Sequence, residues 1–72
     1  MTYFDRFLDV CADFDLPQSE AELLGGQVNA ACERLALSKT ASREELLRCA
    51  EVEIRKFSPD MADFYKNYDK II

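Results

Sequence analysis

Apolar residues return every three or four positions along almost the whole chain, and the pattern breaks only around Leu16 and Pro17, Ser38 to Ala41, and Ser58 and Pro59. That period belongs to a helix, because residues three and four apart share one helix face, whereas a strand would alternate in twos. Four amphipathic segments joined by short turns lead to an all-α fold, a small compact bundle or orthogonal array of about four helices. With 72 residues and no repeat, low-complexity tract or long linker, residues 1–72 are expected to form a single helical domain.

Thr2 suits the N-cap of a first helix from Tyr3 to Phe14, in which Phe4, Phe7, Leu8, Cys11 and Phe14 make one apolar face. Ser19 to Glu22 has the capping-box pattern, which predicts a second helix starting at Glu20. Gly25 and Gly26 would each cost about 1 kcal/mol in a helix interior, which favours a turn there. However, Ala21, Leu24, Val28, Ala31, Cys32 and Leu35 keep one helical phase across the glycines, so the expectation is one continuous helix over 20–37. Gly25 falls at the edge of that face, where a missing side chain lets another helix approach.

Ser42 and Glu45 form a second capping-box pattern opening a helix to about Phe57, with Leu46, Leu47, Ala50, Ile54 and Phe57 inward. On its outer face Glu44 precedes Arg48, and Glu51 precedes Arg55, by four residues, the favourable order for helical ion pairs. Ser58 and Pro59 make a corner from which a last helix starts, carrying Met61, Phe64, Tyr65, Tyr68 and Ile72 at helical spacing. Aromatic residues at that spacing are core material first and partner anchors second. Ile71 and Ile72 either pack back onto the bundle or extend an apolar patch.

A chain this short buries only about 60% of its unfolded surface, so the core is thin and self-association is expected to support it. Fourteen carboxylates against nine Lys and Arg give a net charge of −5, which argues against nucleic acid as a partner and for a basic one. The three cysteines are an odd number in a chain without a secretory leader pattern, which reads as reduced thiols and a cytoplasmic location. No apolar run is long enough to span a bilayer, so no membrane association is expected.

Catalysis finds no support in the residues. Histidine is absent, Ser19, Ser42 and Ser58 are assigned to helix caps, and no glycine-rich phosphate loop or CxxC pair occurs, so neither an enzyme nor a metal or cofactor site is expected. Two features point to binding instead. Asp5, Asp9 and Asp13 form an acidic ridge on the first helix, about 6 Å apart along its axis, on the scale of successive backbone phosphates. Leu23, Ala30 and Leu37 repeat every seven residues on the side of the second helix away from its main apolar face, a candidate self-association stripe.

These features lead to a non-enzymatic protein-binding protein, an inhibitor or adaptor acting on a basic macromolecular partner, with nucleic-acid mimicry as its sharpest form. A structural homodimer subunit seated on Leu23, Ala30 and Leu37 is one alternative. The stretch from Ala21 to Val28 also resembles a helix-turn-helix, with a small residue four positions before a turn glycine. It departs from that pattern at Gly26, where a hydrophobic residue is usual, and the following segment offers one cation, Arg34. That resemblance implies a second alternative, a dimeric helix-turn-helix-like transcriptional regulator.

Overall fold

The computed structural model describes residues 2–68, which fold into four helices: α1 (Tyr3–Asp13), α2 (Gln18–Ser38), α3 (Arg43–Phe57) and α4 (Pro59–Lys66). No strand occurs among the described residues, and the all-α bundle expected from the apolar period is the architecture found. α3 packs against all three other helices, and α1 lies across α2, α3 and α4. Ile71 and Ile72 lie outside the described residues.

Local chemistry sets most of the helix boundaries. The Thr2 hydroxyl accepts the Asp5 amide at 3.1 Å, and the Asp5 carboxylate accepts the Thr2 amide at 3.2 Å, a reciprocal cap on α1. Ser42 and Glu45 do the same for α3 at 3.2 and 3.3 Å. Ser58 ends one helix and begins the next: its amide donates to the Ile54 carbonyl at 2.8 Å, and its hydroxyl accepts the Met61 amide at 3.3 Å. Pro59, which has no amide hydrogen to satisfy, occupies the first helical position.

The start of α2 differs from the sequence expectation. α1 closes in a Schellman turn, in which the Leu16 amide donates to Cys11 and the Asp15 amide to Ala12, with Asp15 in the left-handed region at φ 51°. Leu16 is thereby packed on the core, and the Pro17 carbonyl accepts the Ala21 amide at 2.9 Å. The helix therefore begins at Gln18, so Ser19 is already helical and the box with Glu22 does not form. Glu22 instead accepts a hydrogen bond from the Gln18 side chain.

Beyond that point α2 runs unbroken through Gly25 and Gly26, neither of which takes a positive φ. The turn that a helix-turn-helix requires at Gly25 is therefore not there. Gly25 is buried against α1, and a Cβ on it would stand 3.2 Å from the edge of the Phe7 ring. α1 itself is rotated from the face read in the sequence. Arg6, Phe7, Val10 and Cys11 are buried, while Leu8 is 49% and Phe14 39% exposed.

The cause of the rotation is α4. It brings Tyr65, and the turn after it brings Tyr68, beneath Arg6, whose guanidinium lies 5.5 and 5.4 Å from the two ring centres and donates to the Tyr65 carbonyl at 3.3 Å. The apolar stem of arginine packs like a core residue while its head is held by the rings and the carbonyl. Around it, Phe7 and Val10 of α1, Leu24 and Val28 of α2, Ala50 and Ile54 of α3, and Met61 and Tyr65 of α4 form one core. The Tyr65 hydroxyl reaches across this core to the Tyr3 carbonyl at 3.0 Å. Phe57, expected inward, is 47% exposed at the open end of the α2–α3 pair.

Candidate functional site

Helical phase keeps Asp5, Asp9 and Asp13 on the outward side of α1, and all three are exposed. Two of them also have partners within the chain. Asp5 closes the N-terminal cap, and Asp9 accepts the Tyr68 hydroxyl at 2.8 Å. That hydrogen bond first, then burial and the field of Asp9 and Asp13, push the Tyr68 phenol above its ordinary range, because ionising it would place a second negative charge beside Asp9. Asp13 lies in the last turn, beside the negative end of the helix. Ion pairs among the described residues join Lys39 to Glu45, Arg55 to Glu51 and Asp63, and Lys56 to Glu53; none joins a cation to the three aspartates.

The α2 stripe is also on the surface. Leu23 is 71% and Leu37 88% exposed, and Ala30 between them is exposed as well. Leu23 borders a shallow cleft with Gln27 and Phe57, so its apolar surface continues onto α3. A second apolar cleft of about 480 Å³ runs between α1 and α2, floored by Ala21, Gly25 and Gly26 and walled by Phe4 and Leu8. It exists because the glycines admit α1 on one side and leave the space beside Gly26 open on the other.

One grouping has no counterpart in the sequence reading. Arg43, Arg48 and Lys66 border a cleft with Arg6 and Tyr65, with Glu44 and Glu51 on the same rim. With Arg6 these cations come from three helices, so no local spacing announces them. Only the packing of α1 and α4 against α3 collects them.

Cys32 of α2 and Cys49 of α3 are neighbours, and Cys11 is buried in α1. Burial pushes Cys11 up, and burial followed by the neighbouring Cys49 pushes Cys32 up to about 12, which disfavours the nucleophilic thiolate. The Cys32 thiol faces the Leu46 carbonyl at 3.6 Å. Burial likewise raises the Tyr65 phenol well above its usual range. Among the described residues no three Cys, Asp or Glu converge closely enough to hold a metal ion, and no helix is long and apolar enough to cross a membrane. The arrangement offers surfaces for recognition: an acidic edge, an apolar helix face and two clefts. No family model matches the chain, and neither a curated protein nor a solved structure matches it.

Proposed function

We propose that this chain is a non-enzymatic binding protein, an inhibitor or adaptor, whose α1 carboxylates dock on a basic surface of another protein. The observation that carries this reading is the exposure of Asp5, Asp9 and Asp13 along one helix edge with none of them ion-paired among the described residues. The Tyr68 hydroxyl fixes one oxygen of Asp9. A carboxylate held in place loses less freedom on binding than a free one. Charge of this kind accelerates encounter with a cationic partner and makes the association salt-sensitive. In its sharpest form the ridge occupies a site that otherwise takes nucleic-acid phosphates.

The test is a pull-down from the native cell with wild-type and Asp9→Asn/Asp13→Asn baits at low salt. Asp5 is left in place because it caps α1. A partner retained by the wild type, released by added salt and absent from the variant supports the ridge as the contact. Equal retention by both baits at low salt rules it out, and displacement by duplex DNA identifies the mimic form.

A further inference from the structure

We infer that Cys32 and Cys49 form a redox latch: a peroxide oxidises Cys49, and Cys32 then closes a disulfide that ties α2 to α3. The contact between the two helices supplies the geometry. The Cys32 thiol of α2 donates to the Leu46 carbonyl of α3 at 3.6 Å, so the α3 backbone lies within reach of one cysteine side chain. A helical carbonyl points toward the residues one turn ahead, which sets the Leu46 oxygen at the level of Cys49 and Ala50. Cys32 and Cys49 are accordingly in side-chain contact. Disulfides join backbones that stand this close.

The two thiols differ in access, and that divides their roles. Cys32 is 1% exposed, and the Tyr3 hydroxyl, itself donating to Asn29 at 2.9 Å, stands beside it on the α1 side. Cys49 is only partly buried and opens onto a shallow cleft of about 330 Å³ with Leu35, Arg48 and Val52. A small peroxide therefore meets Cys49 first. An accessible thiol next to a second, buried one is the arrangement of a redox sensor and its resolving partner. Cys11 is buried in α1 and neither other thiol acts on it, so it takes no part.

The Cys49 sulfur attacks one oxygen of hydrogen peroxide: the S–O bond forms, the O–O bond breaks, and the departing hydroxide takes up the thiol proton as water. Cys49 has then lost two electrons to the peroxide and stands as a sulfenic acid. The Cys32 sulfur attacks it in turn. The S–S bond forms, the S–O bond breaks, and a second water leaves with the Cys32 proton, so two thiols and one peroxide give one disulfide and two waters. Before oxidation, burial and after it the neighbouring Cys49 hold the proton on Cys32. Oxidising Cys49 removes the thiolate charge that opposes ionisation of Cys32, so the first step prepares the second. Contact supplies the rest, since a group already beside its target reacts as if at very high concentration. No residue of the acidic ridge takes part, so the latch is independent of docking through α1.

The reduced full chain is treated with a small excess of hydrogen peroxide at neutral pH, then denatured, its remaining thiols blocked with N-ethylmaleimide and its peptides mapped by mass. The expected product has lost two hydrogen atoms, links Cys32 to Cys49 and carries one maleimide on Cys11; dithiothreitol returns all three thiols. In urea the same treatment should scatter the links among the three cysteines. Cys32→Ala, checked for helix content by circular dichroism, should leave Cys49 as a sulfenic acid that dimedone labels several-fold more strongly than in the wild type. The linked chain should also need more urea to unfold than the reduced one, because its span from α2 to α3 is closed. Oxidation of Cys49 without a link in the folded wild type, links in the same proportions with and without urea, Cys49 linked only to Cys49 of a second copy, or a link that lowers the urea midpoint would each overturn the latch.

Discussion

Adjacent glycines in one helix give a controlled comparison, because helix propensity acts on both and packing acts on only one. Replacing Gly26 with Ala adds a methyl group where no heavy atom stands within 4 Å, so only the backbone preference changes. The expected gain is about 1 kcal/mol. For a domain of this size that raises the melting temperature by roughly 4–8 °C. At Gly25 the same gain is opposed by a methyl group placed 3.2 Å from the Phe7 ring edge and 3.5 Å from the tip of Phe4. Phe7 is fully buried in the core, so its ring must give by a few tenths of an ångström against close-packed neighbours. Overpacking of this kind costs about 1–3 kcal/mol, which cancels or reverses the propensity gain. Urea denaturation of the two variants, at concentrations where the chain is dilute, measures the difference directly. Equal stabilisation by both substitutions would refute the close approach of α1 at Gly25. Loss of stability in Gly26→Ala would refute a continuous helical backbone through the pair.

Three further outcomes follow from the cap, the buried ionisable groups and the thiols. Asp15→Gly should stabilise the fold by about 1–2 kcal/mol, since it relieves a left-handed backbone, and it also removes a negative charge from the C-terminal end of α1; thermal unfolding of Asp15→Gly beside Asp15→Asn separates the two terms. Stability should fall in alkali: the folded values of Cys32 and Tyr65 are raised, so their contribution is complete below the unfolded values of about 8.5 and about 10 and is lost as pH climbs through the folded ones. Tyr65→Phe should flatten the upper part of that decline, while costing about 1 kcal/mol at neutral pH for the hydrogen bond to Tyr3. With a thiol reagent under native conditions Cys49 should react first, and Cys11 and Cys32 only as the chain opens, which mass mapping of the labelled peptides would show.

What could be read from the sequence was what depends on a few adjacent residues. Ser42 and Ser58 announce helix starts because a cap is satisfied within three residues of itself. Continuity through Gly25 and Gly26 was legible because the apolar phase survives them. Ser19 and Glu22 carry the same local signal as Ser42 and Glu45, yet the Schellman turn before them and the Pro17 carbonyl start the helix earlier. The roll of α1 was hidden for a longer-range reason. A cation belongs in the core only when aromatic rings from the far end of the chain cover it, and nothing near Arg6 foretells Tyr65 and Tyr68. For the surface features the balance is similar. Phase alone places Asp5, Asp9, Asp13, Leu23, Ala30 and Leu37 outward, whereas the cleft of Arg43, Arg48 and Lys66 exists only once α3 and α4 are packed.

The hydrogen bonds from Tyr65 to Tyr3 and from Tyr68 to Asp9 span 62 and 59 residues, so the first and last helices are stitched together. In connectivity terms these two bonds close the described residues into nearly a ring. A circular permutant that links Tyr68 back to Thr2 through a flexible linker and opens at the exposed Lys39–Thr40 connection is expected to keep the four helices, which circular dichroism would check. The same stitching ties folding to the final helix. Until α4 and Tyr68 after it are in place, Arg6 lacks both of these ring faces and the Tyr65 carbonyl.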